Sequence, residues 1–220
     1  MSNRPRLSDV LYADILAQIE TAVARMTRML EDVLVLGRSD SGTAPFHPRP
    51  LDVANWCRSL VHDVAQATSS SGPVRPAVVL EIRPEPGQCQ VDAILLEHIL
   101  SNLLSNAIKY SPRGGTVHVR LGRHGPMLRI EVSDEGIGIR EQDQYRLFEA
   151  FYRASNVGEI PGTGLGLTVV QRAVERHGGT ITLDSAPGEG TRSVVEIPAP
   201  HLASTAKAPA PQAPDPAPAR

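Results

Sequence analysis

Apolar residues in the first forty positions recur at Ile15, Ile19, Ala22, Met26, Met29, Val33 and Leu36, in steps that alternate between four and three. That spacing sets every member on one stripe of an α-helix and predicts a single long helix. Ser8 and Asp9 are its expected N-caps, and Gly37 with the Ser-Asp-Ser-Gly cluster at 39–42 is its expected stop. A lone helix cannot bury such a seam. The pattern therefore implies a partner, either another copy of the chain or sequence upstream.

From about Phe46 the pattern changes. Residues 53–67 read as a helix with Trp56, Leu60 and Val64 on one face, and 92–111 as a strongly apolar helix stopped by Pro112 and the Gly114-Gly115 turn. A third helix is expected over 165–177, closed by Gly178-Gly179. Residues 78–82, 116–121, 128–133, 180–183 and 192–197 read as strands, several of them alternating apolar and polar positions as half-buried strands do. Strands outside a regular βαβ alternation predict an α+β fold, a two-layer α/β sandwich with a mixed sheet and helices on one face. After Pro198 the chain is a Pro/Ala run with hardly a large apolar residue, which reads as disordered. The expected organisation is a helical segment over 1–44, a domain over 45–198 and a tail over 199–220.

Composition narrows the function classes. The 220 residues carry 22 basic and 24 acidic side chains, a formal charge of −2, which gives no sign of a nucleic-acid partner. No apolar run approaches the ~20 residues that span a bilayer, and the N-terminus has no hydrophobic signal core. Cys57 and Cys89 lie far apart, outside any metal-ligand spacing, and suit free thiols in a reducing cytoplasm.

Three segments carry chemistry. Within the apolar 95–108 helix sit Asn102 and Asn106, four residues apart and so on one face, followed by Lys109 and Tyr110. An amide oxygen, an ammonium and an aromatic ring side by side suit Mg²⁺, phosphate and a base; the asparagines can equally bond neighbouring backbone, with Lys109 simply ending the helix. Next, a strand delivers Asp134, followed by Gly136, Gly138 and Ile139. Its carboxylate can accept from an exocyclic amine while glycine lets backbone approach a flat ring, although Asp-Glu-Gly is also ordinary turn chemistry. Third, Gly162-Thr163-Gly164-Leu165-Gly166-Leu167 leads into a helix, a backbone suited to cradling phosphate. Between the second and third segments, Phe148, Phe151 and Arg153 precede a patternless stretch that reads as an aromatic anchor and a mobile lid.

In order and spacing these segments resemble the N, first-glycine, F and second-glycine boxes of bacterial sensor histidine kinases, members of the GHKL ATPase superfamily. The resemblance covers about 46–198, and the preceding helix is similar to the second helix of that family's dimerisation and phosphotransfer hairpin. It implies ATP and Mg²⁺ as ligands. Asn106 would be the Mg²⁺ ligand with Asn102 beside it, Lys109 a phosphate contact, and Tyr110 a neighbour of adenine or ribose. Asp134 would accept from the adenine amino group, Gly136, Gly138 and Ile139 would shape the base pocket, and Phe148 and Phe151 would anchor the lid. Arg153 would reach the γ-phosphate, residues 162–167 would wrap the phosphates, and Thr191 would line the adenine pocket. Hydrolytic relatives carry a glutamate base four residues before the Mg²⁺ asparagine. Here Asn102 stands there and cannot take a proton from water, which favours transfer to a protein side chain.

The resemblance also implies a phosphoacceptor histidine in a His-Glu/Asp context followed by proline. None of the seven histidines (His47, His62, His98, His118, His124, His177 and His201) has it, so each reads as structural or at the surface. The acceptor is expected upstream or in trans, on a histidine-containing hairpin, with a response-regulator receiver domain as the next partner and a homodimer formed through the first helix. An anti-sigma-factor-type serine kinase and a non-catalytic ATP-binding regulator are the alternatives.

Overall fold

A computed structural model describes residues 46–68, 72–158 and 160–200, together with Tyr12, Ile15, Leu16, Ile19, Val23, Met26, Thr27 and Leu30. These last positions, between 12 and 30, are helical (α1). The apolar ones are 45–68% exposed. Tyr12, Leu16, Ile19, Val23, Met26 and Leu30 themselves follow a four-three stepping; Ala22, Met29, Val33 and Leu36 of the expected seam lie outside the described residues.

The main body follows the order β1 (Arg49–Asp52), α2 (Val53–Ala67), β2 (Ala77–Ile82), β3 (Gln88–Val91), α3 (Ala93–Lys109), β4 (Thr116–His124), β5 (Met127–Asp134), α4 (Glu141–Gln144), α5 (Gly166–Arg176), β6 (Thr180–Ala186) and β7 (Gly190–Pro198). Five strands form a mixed sheet in the order β2-β4-β5-β7-β6, in which only β2 and β4 run parallel; β1 and β3 form a separate antiparallel pair. Every strand and helix expected after Phe46 is present, while Ser8, Asp9 and Gly37, the expected ends of the first helix, lie outside the described residues. The additions are β1, β3 and the one-turn α4. Pro50 lies inside β1, and Pro84, Pro86 and Gly87 precede β3, so turn residues mask both strand signals.

Helix identity follows from caps and burial. Asp92 begins α3 by accepting from the amides of Ile94 and Leu95. Leu95, Leu96, Ile99, Leu100, Leu103, Leu104, Ala107 and Ile108 are all buried, because α3 is enclosed by α2, α5 and the sheet. Asp52 caps α2 through the Asn55 amide. Its fully enclosed row is Val53, Cys57 and Val61, with Trp56, Leu60 and Val64 at the margin of the core. Val117, Val119, Leu121, Leu128, Ile130, Val132, Val195 and Ile197 supply the sheet's side of that core. Burying one such side chain is worth about 1.5–3 kcal/mol. Both cysteines are free and buried, and burial pushes the Cys57 thiol up to about 12.

The packed body continues past the expected boundary at 198. Ala199 is fully buried, its amide bonds the Pro126 carbonyl at 3.1 Å, and the Gln90 amide bonds the Pro200 carbonyl at 3.1 Å. The rest of the expected tail, 201–220, lies outside the described residues. At the other end, the Phe46 ring meets the His177 ring edge-on at 5.1 Å and the His47 amide donates to Asp92 at 2.9 Å. His177 is buried at the end of α5, with Nδ1 2.9 Å from the Ala173 carbonyl and Nε2 3.3 Å from the Asp92 amide. Burial holds its pKa below the usual imidazole range.

The sheet face turned away from the helices is charged. Glu131 on β5 has a side chain only 8% exposed, because Arg120 of β4, Arg129 of β5 and Arg192 of β7 surround it. Arg192 binds both its oxygens, at 3.0 and 2.7 Å, and Arg120 adds a contact at 2.7 Å. The Arg192 hydrogen bonds hold the Glu131 carboxyl below its ordinary range. A depressed carboxylate stabilises the fold above its unfolded pKa and loses that contribution as pH falls through its folded pKa. Glu131→Gln is expected to cost about 2 kcal/mol in urea unfolding at neutral pH. The gap from the parent should narrow in acid, below the usual carboxylate range. An equal gap at both pH values would contradict the charge-network account.

Candidate nucleotide-binding site

Elements distant in sequence meet along one edge of the domain, where the C-terminal half of α3 faces the start of α5. Asn102 gives its amide hydrogens to the His98 carbonyl at 2.9 Å and turns its oxygen toward Gly166. A Cβ at Gly166 would stand 2.8 Å from that oxygen and 3.8 Å from the Asn106 amide nitrogen. The first residue of α5 is glycine because the asparagine pair of α3 occupies the space. One turn on, the Lys109 ammonium lies 4.3 Å from the Tyr110 ring centre. A Cβ at Gly162 would lie 3.3 Å from that ammonium and 3.5 Å from the Tyr110 hydroxyl. The polar positions of the N segment thus face the glycine segment across a backbone-wide gap.

Asp134 ends β5. Its Oδ1 accepts from the Gly136 amide at 2.9 Å and from the Thr191 amide of β7 at 3.2 Å. Both bonds fall on the same oxygen. Burial raises this carboxyl to about 6, and the two backbone donors only partly oppose that rise. Beside it opens a cleft lined by Ser133, Asp134, Asp184, Ser185, Gly190 and Thr191. The Thr191 hydroxyl lies 3.0 Å from the Ser185 hydroxyl, which also receives the Ile139 amide at 3.0 Å.

The two glycines after Asp134 have packing partners within the chain. A Cβ at Gly136 would overlap the Tyr110 carbonyl, and one at Gly138, where φ is +62°, would overlap the Ala186 carbonyl. The Ile137 amide bonds the Tyr110 carbonyl at 3.0 Å, and the Gly188 amide bonds the Ile137 carbonyl at 2.9 Å. The loop is thereby pinned between the end of α3 and the β6–β7 turn. Glycine here closes the wall of the site before it meets any ligand.

Phe148 and Phe151 frame the start of the lid. The Phe148 carbonyl accepts from Thr168 on α5 at 3.0 Å. Phe151 is 63% exposed, adopts φ +65°, and bonds the Gly164 carbonyl through its amide at 3.0 Å. A Cβ at Gly164 would stand 2.6 Å from the Phe151 carbonyl carbon, so the two ends of the lid cross at van der Waals distance. Thr163 receives the Leu165 amide at 3.3 Å; Leu165 is fully buried and Leu167 partly so. Arg153 does not point into the cleft. Its guanidinium donates to the carbonyls of Gly158 and Ile160 within the lid itself.

Sequence reasoning missed several residues that organise this region. Asp143 of α4, Ser155, Asn156 and Ser185 carry hydrogen bonds that join the lid to the loop after Asp134 and to β6. Asp143 sits in a Glu-Gln-Asp-Gln run with the composition of any solvated turn, so nothing in the sequence marked it.

A two-layer α+β domain whose polar helix end faces a glycine segment, with a buried strand-end aspartate and its glycine loop beside them, is a GHKL-type nucleotide-binding module. Residues 91–201 match the family described as histidine kinase-, DNA gyrase B-, and HSP90-like ATPase, and the chain belongs to that family. It is 35% identical over 203 residues to the sensor protein IrlS of Burkholderia pseudomallei (strain K96243), covering 90% of this chain and 41% of IrlS. It is 34% identical over 181 residues to the sensor histidine kinase WalK of Bacillus subtilis (strain 168), covering 79% of this chain and 28% of WalK. The chain therefore spans less than half the length of these relatives. A solved structure of the mycobacterial sensor histidine kinase MprB is 30% identical, with a TM-score of 0.57, covering 70% of this chain and all of that one. Full-length ShkA in complex with AMPPNP shares the fold at a TM-score of 0.69 and 23% identity, over 87% of this chain and 40% of that one. Within the family the chain is a catalytic ATP-binding domain homologous to those of bacterial sensor histidine kinases. Among the described residues no helix is long and apolar enough to cross a membrane.

The raised carboxyl of Asp134 yields a test on the nucleotide-free protein. Its folded pKa exceeds its unfolded value, so the associated stability is complete below about pH 4 and is lost as pH rises through about 6. Asp134→Asn keeps an oxygen for the Gly136 and Thr191 amides and removes the buried charge. At pH 8 the variant is expected to be more stable than the parent by about 2 kcal/mol, with the difference shrinking as pH falls through about 6 and vanishing only at about pH 3. Lower stability of the variant at every pH, by thermal melting, would contradict this electrostatic reading.

Proposed function

We propose that this domain binds ATP with Mg²⁺ and donates the γ-phosphoryl group to a histidine on a helical hairpin, located upstream of the described region or in trans. The observation that carries the proposal is the convergence of Asn102, Asn106 and Lys109 of α3, and of Tyr110 just past its end, on Gly162 and Gly166, with the loop after Asp134 packed on the Tyr110 carbonyl. In this reading Asp134 accepts from the adenine amino group through its Oδ2, the oxygen that the Gly136 and Thr191 amides do not use. Gly136, Gly138 and Ile139 hold the base pocket's wall, Thr191 lines it, and Tyr110 packs beside base or ribose.

The residues present fit a magnesium ion. Asn106 lies with its amide nitrogen toward Gly166, and the other half of that amide is a neutral oxygen, a hard donor suited to an ion that keeps most of its waters and shares phosphate oxygens. When bound, the ion neutralises charge on the phosphate oxygens. Lys109 adds a cation at the end of the same helix. The backbone of residues 162–167 encloses the phosphates, and Phe148 and Phe151 seat the lid that keeps water out.

Asn102 bears on reaction type. Its amide nitrogen is committed to the His98 carbonyl, and an amide cannot deprotonate water. Positioning and charge neutralisation remain, and these are what phosphoryl transfer to a side chain needs. The wider activity envisaged includes relay to a response-regulator receiver domain and a homodimer formed through α1, whose described apolar positions are exposed.

Incubation with γ-labelled ATP, with and without a separate hairpin carrying the acceptor histidine, tests this. Label on that histidine is expected, and Asn106→Ala should lower it at least about a hundredfold. Label on a partner serine, or nucleotide binding with no transfer at all, would overturn the histidine-kinase reading.

A further inference from the structure

A residue in no recognised motif stands at the root of the lid. Asp143 is 4% exposed although it belongs to the one-turn helix α4 on the surface. Its Oδ1 accepts from the Tyr152 hydroxyl at 2.7 Å, and its Oδ2 accepts from both the amide and the hydroxyl of Ser155, at 3.0 and 2.7 Å. These donors, Tyr152 first, hold its carboxyl below the usual range. A buried carboxylate with three short bonds is costly to desolvate, and its bonds confer position more than net stability.

The location of those bonds matters. Tyr152 and Ser155 flank Arg153 and Ala154, so one carboxylate grips the chain on both sides of the lid arginine. Arg146 stacks on the Tyr152 ring at 4.2 Å, Arg140 donates to the Ser155 hydroxyl at 3.3 Å, and Asn156 donates to the Gly138 carbonyl at 2.8 Å. α4 is itself fixed to the sheet, since Gln144 donates to the Ser185 carbonyl at 2.7 Å. Counted from the lid's other end, Gly164 is locked against Phe151. Both feet are therefore clamped. Between these feet the Arg153 guanidinium is bonded to the Gly158 and Ile160 carbonyls.

We infer that Asp143 is a positioning residue for phosphoryl transfer, holding the backbone of Arg153 in fixed relation to the Asp134 loop. Arg153 can then exchange its lid carbonyls for the terminal phosphate without the root of the lid moving. The inference rests on the proposed function and adds to it a residue that acts only through Arg153. Asp143 touches no substrate; it fixes the pivot about which the arginine swings.

The test compares Asp143→Ala, Asp143→Asn and Tyr152→Phe in the full chain. Asparagine can turn its oxygen to Ser155 and its amide hydrogens to the Tyr152 hydroxyl, so it should retain the grip without the charge. Transfer to the histidine hairpin at saturating ATP is expected to fall at least about tenfold in Asp143→Ala, with Asp143→Asn within about threefold of the parent. ADP affinity by calorimetry should be unchanged in both, because ADP lacks the phosphate that Arg153 would reach. The Ala/Phe double variant should be no slower than Asp143→Ala alone. In the nucleotide-free chain, exchange of the Ser155 amide should accelerate in Asp143→Ala and not in Asp143→Asn.

Asp143→Ala transferring like the parent would overturn the inference, as would equal losses of ADP affinity and transfer. So would unchanged Ser155 exchange. A parent chain that binds no ATP would instead sink the proposed function and the positioning role with it, while the exchange comparison would still report on the grip itself.

Discussion

Asp134 closes a strand whose preceding residues fill the core, and its partly buried carboxylate accepts from amides of two different segments. One amide belongs to the loop that follows it and the other to the neighbouring strand β7. The cost of burying that charge is visible in its pKa, raised to about 6. A fold that bears such a cost without a full set of partners holds a hydrogen-bond acceptor ready for something else. The rest of the site is arranged from this point. The loop after Asp134 is pinned to the end of α3 and to the β6–β7 turn, and it leads directly into α4, which grips the lid.

The helices serve the same arrangement from the other side. α3 buries its apolar residues against α2, α5 and the sheet, and of its polar residues Asn102, Asn106 and Lys109 meet Gly166 and Gly162. At the enclosed positions of this helix, such as Leu96, Ile99 or Leu103, an asparagine would be buried unsatisfied. Packing therefore dictates where polar chemistry can occur. Gly166, the first residue of α5, approaches those asparagines because it carries no side chain to hold it off.

Most of the fold was legible because its signals are periodic. α2, α3 and α5, and the strands of the large sheet, follow patterns of period 3.6 or 2 that burial imposes on each. β1 and β3 were not legible, since prolines and a glycine occupy or border them and their pairing joins positions about forty residues apart. The candidate site was legible where a motif ties residue type to spacing, as with Asn102 and Asn106, Asp134 and the 162–167 glycines. Asp143 was not, because its burial depends on Tyr152 and Ser155 folding back over it, a tertiary event without local signature. The roles of Gly136 and Gly138 were legible only in part. Their spacing suggested close approach to a ligand, and the structure adds an approach to the Tyr110 and Ala186 carbonyls.

The account stands or falls on Asp134 as the acceptor for an adenine amino group in a magnesium-dependent site. Isothermal titration of the chain with ATP, with and without Mg²⁺, and of Asp134→Asn under the same conditions, tests that claim directly. The account requires magnesium-dependent binding by the parent. It also requires a loss of at least about tenfold in the asparagine variant, where an amide donor would face the adenine donor. Equal affinity of parent and variant, or no binding by a well-folded parent, would contradict it.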